Sequence, residues 1–368
     1  MASRLQELSK LGQSVWIDYL SRRLLREGEL AELIRDHAVV GVTSNPTIFQ
    51  KAISQGNAYD EQLQEILATG EADTKEIFLQ LAVRDVESAL DLLRPVWDEG
   101  DGKDGYVSIE VDPNLAYDTE GTIAEAQRLH ELVDRPNCFV KIPATEPGLP
   151  AIEEMISRGR KINVTLIFSL ERYAAVVEAY LRGLERLVES GGDPTQVASV
   201  ASFFVSRVDT EADKRLDEAG APDDLKGKLA VANAKLAYQR YKELFSGDRW
   251  EKLRAAGATT QRCLWASTST KNPAYRDVLY VEDLIGPETV NTMPEETIEA
   301  FEDHGEVALT LERDVDEARR VFERIAEAGV DYDDVVATLE REGVQKFSDS
   351  FAELLEGVRG KRGELVSA

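Results

Sequence analysis

INVTLIFSLERYAAVVEAYLRGLERLVESGGDPTQVASVASFFV, residues 162–205, decides the fold. It opens on a short apolar run, passes into a stretch whose apolar residues recur at three and four positions, and closes on a second apolar run. Short runs rich in β-branched and aromatic residues read as strands, and the three-and-four spacing reads as one face of a helix. A strand, a crossover helix and a second strand make a unit whose strands lie parallel.

The same alternation extends outward in both directions. Strands are predicted at SVWID (14–18), VVGVT (39–43), YVSIEV (106–111), CFVKI (138–142), INVTLIF (162–168), VASFFV (200–205), CLWAS (263–267) and VLYVEDL (278–284). Helical patterns lie between them, among them EIFLQLAVRDVESALDLLRPVW (76–97), TIAEAQRLHELV (122–133) and DLKGKLAVANAKLAYQRYKELF (224–245). Eight such units close naturally into a (β/α)8, or TIM, barrel; an open doubly wound sheet is the alternative. A minimal barrel needs about 250 residues, so a chain of 368 carries additions. Extra helices are expected at about 46–99, and a helical C-terminal extension at about 294–368. The extension reads as two or three acidic amphipathic helices packed on the barrel, with the solvated face that such charge runs usually form. No linker rich in Pro, Gly or Ser precedes it, so residues 1–368 are expected to form a single domain.

Composition narrows the function classes. The chain has 43% hydrophobic residues, which disfavours disorder, and 43 Lys plus Arg against 69 Asp plus Glu, a net charge of −26. Such a surface repels phosphodiester backbones and anionic lipid, so no nucleic acid and no membrane partner is expected; the partner is a small molecule. Cys138 and Cys263 supply no disulfide framework, the N-terminus lacks a signal-peptide core, and no run approaches eighteen apolar residues. A cytoplasmic protein, monomer or homodimer, is the expectation. His37, His130 and His304 are widely spaced, so no histidine-built metal site is expected.

In such a barrel the active site forms at the C-terminal ends of the strands. Polar residues gather there: Asp18, Asn45, Glu110, Asp112, Lys141, Asn163, Thr165, Ser202, Arg207, Ser267, Ser269 and Lys271. The period of two puts Ser108 and Glu110 on one face of their strand, Phe139 and Lys141 on one face of the next, and Asn163 with Thr165 on one face of the fifth. Barrel strands are apolar on both faces, so polar side chains there need a reason. A lysine so placed is partly desolvated, which disfavours the ammonium and leaves an amine able to attack a carbonyl; snorkelling to solvent is the plainer role. The carboxylates of Asp18 and Glu110 could shuttle protons beside it or simply cap strand ends, and Asp112 before Pro113 suits a turn. Asn45 before Pro46 suits a helix N-cap. Arg207 and Lys271, with Ser267 or Ser269, could hold an anionic substrate head or be surface charges. The run GDGKDG (100–105) has the GxGxxG spacing, but it precedes a strand and opens no helix, so it reads as a flexible loop.

Taken together, GVTSNPTIF, VSIEVDPNLAYDTEGTIAEA, FVKIPAT, INVTLIFS, ASFFVSRVD and LWASTSTKNPAY resemble the transaldolases, class I aldolase-type enzymes on a (β/α)8 barrel, and resemble the longer form of that family in length. The likeness runs from about Ser14 to Pro294. It implies transfer of a dihydroxyacetone unit from sedoheptulose 7-phosphate or fructose 6-phosphate to glyceraldehyde 3-phosphate or erythrose 4-phosphate, in the non-oxidative pentose phosphate pathway, without metal or cofactor. It implies a Schiff base on Lys141 and proton transfer at the donor's C4 hydroxyl by Asp18. A catalytic water would be held and used by Glu110 and Thr165, and the dihydroxyacetone unit bound by Asn45 and Asn163 with Ser202 nearby. Phosphate would be bound by Arg207. Many members carry an arginine shortly after the seventh strand's Ala-Ser; here Ser267 keeps its place and the only cation in that segment is Lys271. A Schiff-base aldolase releasing free dihydroxyacetone, and a silent barrel that only binds sugar phosphates, are the alternatives.

Overall fold

The computed structural model describes residues 3–54, 56–70 and 73–367. Eight parallel strands close into a barrel in sequence order, the (β/α)8 architecture: β1 (Gln13–Ile17), β2 (Val39–Val42), β3 (Tyr106–Glu110), β4 (Cys138–Pro143), β5 (Ile162–Ile167), β6 (Ser199–Phe204), β7 (Arg262–Ala266) and β8 (Thr289–Met293). The first seven match the predicted strands to within one residue at either end. The additions also fall where expected: helices Pro46–Ser54, Asp60–Ala68 and Thr74–Glu99 between β2 and β3, and helices Glu295–His304, Val315–Glu327 and Tyr332–Ser367 after β8. No helix among the described residues is long and apolar enough to cross a membrane.

The eighth strand is a correction. VLYVEDL contains a short helix, Leu279–Glu282, and β8 is the more polar TVNTM, paired with both β1 and β7. Val278, Val281 and Leu284 recur at three, are fully buried, and form one helical face. Tyr280 is buried as well, and its hydroxyl donates to Asp209 at 2.9 Å. In β8 the buried polar side chains find partners outside the strand: Thr289 accepts from Gln13 Nε2 at 3.0 Å, and Asn291 Oδ1 accepts from the Thr268 hydroxyl at 2.9 Å, while Asn291 Nδ2 has no partner among the described residues.

Register sorts the interior into layers. Glu110 lies opposite Lys141, Lys141 opposite Asn163, and Trp16 opposite Thr292. Below this polar level Trp16, Tyr106 and Phe139 fill the barrel, with the Tyr106 and Phe139 rings stacked at 4.2 Å. Gly41 is required there, since a Cβ would come within 2.5 Å of the Trp16 indole. Lower still, the GDGKDG segment closes the N-terminal end, contrary to the expectation of a flexible loop. Asp104 accepts from Ser14 Oγ (2.7 Å), Trp16 Nε1 (3.1 Å) and Arg262 (3.0 Å), so the segment is tied to the interior of the barrel.

The helix Val205–Glu218, which carries Arg207, is fastened by Asp209. Its carboxylate accepts from the Ala230 backbone N–H at 2.7 Å as well as from Tyr280. Burial pushes the Asp209 carboxyl up to about 7, against the pull of these hydrogen bonds. Between an unfolded value of about 4 and the folded one, the native state holds a proton that the unfolded chain has released, so this group's contribution to stability falls as pH rises through that window. Asp209→Asn removes the titration. Its urea midpoint relative to the wild type should therefore climb from pH 5 to pH 7; a constant difference across that range would contradict the assignment.

Candidate active site

At the C-terminal mouth of the barrel lies a cavity of about 670 Å³. Of the ten residues named with the family resemblance, nine line it: Asp18, Asn45, Lys141, Asn163, Thr165, Ser202, Arg207, Ser267 and Lys271; Ser269 lines it as well, and Asp112 does not. Glu110 is the tenth, and it touches the ninefold lining through Lys141. All ten are thus brought to one place from seven different strands or the loops that follow them.

Lys141 is 5% exposed. Its Nζ donates to the Ser44 carbonyl at 3.0 Å and to Glu110 Oε2 at 3.2 Å, and lies 5.8 Å from the centre of the Phe347 ring. It does not snorkel to solvent. Burial raises the Glu110 carboxyl above its ordinary range, opposed by Lys141, which shares the proton's neighbourhood. Asp18 stands just past the end of β1. Its Oδ1 accepts from the Thr43 hydroxyl at 2.6 Å, and Thr43 is linked in turn to Thr292 at 2.7 Å. Burial raises Asp18 too, with the Thr43 hydrogen bond, Lys141 and Arg207 pulling the other way. Two buried carboxyls with raised proton affinity beside an amine are placed to give and take protons.

Asn163 is locked by its neighbours: Nδ2 donates to Ser108 Oγ at 3.1 Å and Oδ1 accepts from Ser202 Oγ at 2.7 Å. Thr165 is fully buried, and its hydroxyl has no hydrogen-bond partner among the described residues. A buried orphan hydroxyl facing a cavity beside Lys141 has room to hold a water or a substrate oxygen. The backbone just beyond it is strained: the β5–β6 register shifts between Val164 and Ile167, and Leu166 adopts φ +60°. Asn45 is the N-cap of Pro46–Ser54, its Oδ1 accepting from the Ile48 N–H at 3.0 Å. That leaves its side-chain amide N–H groups for the cavity. Asp112 serves as a turn former, accepting from the Asn114 N–H at 2.9 Å, and pairs with Lys75 at 2.8 Å.

Ser267 takes φ +56° at the end of β7, and its hydroxyl lies 2.9 Å from that of Ser206. Lys271 is exposed and donates to Ser269 Oγ at 2.6 Å. Arg207 stacks over Phe204 (4.9 Å) and beside Phe347 (6.0 Å) and makes no hydrogen bond or ion pair among the described residues. Burial lowers its proton affinity and Asp18 opposes this.

Sequence reasoning missed several residues at the mouth. Thr43 was detectable, since it shares a face with Gly41 one step beyond β2. The Ser44 carbonyl carries no signature in sequence. The largest omission is the helix Tyr332–Ser367, read as a solvated acidic face, which crosses the mouth and contributes Leu339, Glu342, Gly343, Lys346 and Phe347 to the lining. Phe347 packs on Phe204 and Phe351 on Phe78.

Comparison with known proteins identifies the family. Residues 15–358 match the family described as Transaldolase/Fructose-6-phosphate aldolase. A protein named Transaldolase from Frankia alni is 53% identical over 366 residues, 99% of this chain and 98% of its own. Transaldolase 2 of Streptomyces coelicolor is 54% identical over 374 aligned positions, covering 100% of this chain and 99% of its own. The Transaldolase of Mycolicibacterium paratuberculosis is 53% identical over 363, covering 98% and 97%. The chain therefore belongs to the transaldolase/fructose-6-phosphate aldolase family.

Proposed function

We propose that the chain is a transaldolase, a transferase that moves a dihydroxyacetone unit from sedoheptulose 7-phosphate or fructose 6-phosphate to an aldose phosphate such as glyceraldehyde 3-phosphate or erythrose 4-phosphate. The observation that carries the reading is Lys141, a buried amine 3.2 Å from Glu110 at the floor of a polar cavity. The names of the relatives support it.

In this mechanism the neutral Lys141 amine attacks the donor's C2 carbonyl, and loss of water from the carbinolamine leaves a protonated imine. Glu110 delivers and accepts the protons of that step through a water beside the Thr165 hydroxyl. Asp18 then takes the C4 hydroxyl proton, the C3–C4 bond breaks, and its electron pair is drawn into the imine as an enamine. The aldose departs. Attack of the enamine on the acceptor aldehyde returns the proton from Asp18 to the new hydroxyl, and hydrolysis frees the lengthened ketose. Asn45, Asn163 and Ser202 hold the hydroxyls of the three-carbon unit, and Arg207 with Ser267 and Lys271 faces the phosphate. Serving the non-oxidative pentose phosphate pathway, the enzyme works in the cytoplasm, which suits its two free, buried cysteines.

Product analysis tests the reading. With fructose 6-phosphate and erythrose 4-phosphate, sedoheptulose 7-phosphate should accumulate in step with glyceraldehyde 3-phosphate. Free dihydroxyacetone released at the same rate without acceptor would make the chain an aldolase, and binding without turnover would make it a silent barrel.

A further inference from the structure

The chain carries a net charge of −26, and its cations are mostly engaged by carboxylates; three that face the mouth of the barrel are not. Arg207, Lys271 and Lys346 form no ion pair among the described residues. Lys346 is the telling case. Glu342 stands one helical turn before it, the favoured arrangement for an i,i+4 pair, yet the two are not joined. The positive field of Arg207, with burial, Lys271 and Lys51 adding to it, holds the Lys346 ammonium below the ordinary lysine range. The cavity lining also carries Asp18, Glu211, Glu295, Glu296 and Glu342, so its charge is balanced overall; what sets these three cations apart is that they are not paired among the described residues, which leaves their charge and N–H donors for a bound anion.

The helix that carries Lys346 is fixed in register. On the preceding residue's turn Gly343 lies against β5, where a Cβ would come within 3.1 Å of Leu166 and 3.5 Å of Phe168. The neighbouring Phe347 packs on Phe204, with its ring centre 6.0 Å from the Arg207 guanidinium and 5.8 Å from Lys141 Nζ, and Ser350 accepts from the Thr47 hydroxyl at 2.8 Å. Farther along, Lys361 bonds Asp60 at 2.9 Å, and toward the other end Arg215 reaches Thr338 at 3.1 Å. Both lysines are exposed, but Lys346 is delivered by a pinned helix, whereas Lys271 sits on a loop.

We propose that Lys346 is the second cation that, with Arg207, holds the phosphate end of the substrate, so that the C-terminal helix supplies part of the binding site. This rests on the sugar-phosphate reading above. The test uses the full chain with saturating fructose 6-phosphate and compares kcat/KM for erythrose 4-phosphate with that for D-erythrose. Lys346→Ala should lower the ratio of the two about tenfold or more, the scale of a charge-assisted contact, chiefly through KM for the phosphorylated acceptor. Lys346→Arg should recover most of it, and Lys271→Ala should change it less. Calorimetric titration with inorganic phosphate gives a readout independent of turnover, and binding should weaken about tenfold in Lys346→Ala. An unchanged ratio, equal losses for both acceptors, or undiminished phosphate binding would overturn the role of Lys346. Absence of transfer in the wild type would instead overturn the proposed function, and the phosphate titration would still decide Lys346.

Discussion

Lys141→Arg is expected to lose turnover on the order of 10⁴-fold or more while the barrel stays folded. Arginine keeps a positive charge opposite Glu110 and donors for the Ser44 carbonyl, the two contacts that hold Lys141. Its guanidinium stays protonated and cannot add to a carbonyl. Because the longer side chain must be housed where Lys141 is buried, Lys141→Met serves as a second variant. It lacks the amine and leaves Glu110 without its cation, so the carboxyl there should be protonated over a wider pH range. Steady-state rates with a circular dichroism melt check both variants. Native-like melting with activity within tenfold of wild type, in either variant, would remove Lys141 from the reaction.

Asp18→Asn is expected to lower kcat by about 10² to 10⁴-fold and to block cleavage rather than Schiff-base formation. Asparagine can still accept from the Thr43 hydroxyl, so the Thr43–Thr292 link survives. It cannot take the C4 hydroxyl proton. Rapid quench of the variant with fructose 6-phosphate and borohydride should trap the intact six-carbon donor, since the bond that would shorten it does not break. In the wild type, burial raises Asp18, so its base form is depleted at pH values above the ordinary carboxylate range, and the acid limb of kcat should lie correspondingly high. That limb should disappear from the residual rate of Asp18→Asn. A three-carbon adduct in the variant would show that another group takes the proton.

The parts of this site that sequence reveals are those where a residue contradicts its local pattern. Lys141 stands in CFVKI where a barrel strand calls for an apolar side chain, and Glu110 and Asn163 do the same on the neighbouring strands; the period of two then places all three on one face. Register turns that shared face into adjacency, with Glu110 opposite Lys141 and Lys141 opposite Asn163. β8 escaped notice because its polar Thr289 and Asn291 bond to distant partners, Gln13 and Thr268, that no local window contains. Val278–Leu284 read as a strand because burial on all sides makes a short helix as apolar as a strand. GDGKDG looks mobile by its glycines, yet Asp104 makes it the floor of the barrel by contacts with Ser14, Trp16 and Arg262. The C-terminal helix hides its role for a simpler reason: Phe347 is some two hundred residues from Lys141 in the chain, and the acidic residues around it set the composition by which the segment reads as solvated. The site is therefore legible strand by strand, and its cover is not.

The account stands on a covalent bond between Lys141 and the donor. The most direct measurement is incubation of the wild-type chain with fructose 6-phosphate, reduction with borohydride and peptide mass mapping. A reduced three-carbon adduct on Lys141 is the predicted result; an unmodified Lys141 in a protein that has nonetheless bound the sugar phosphate would contradict it.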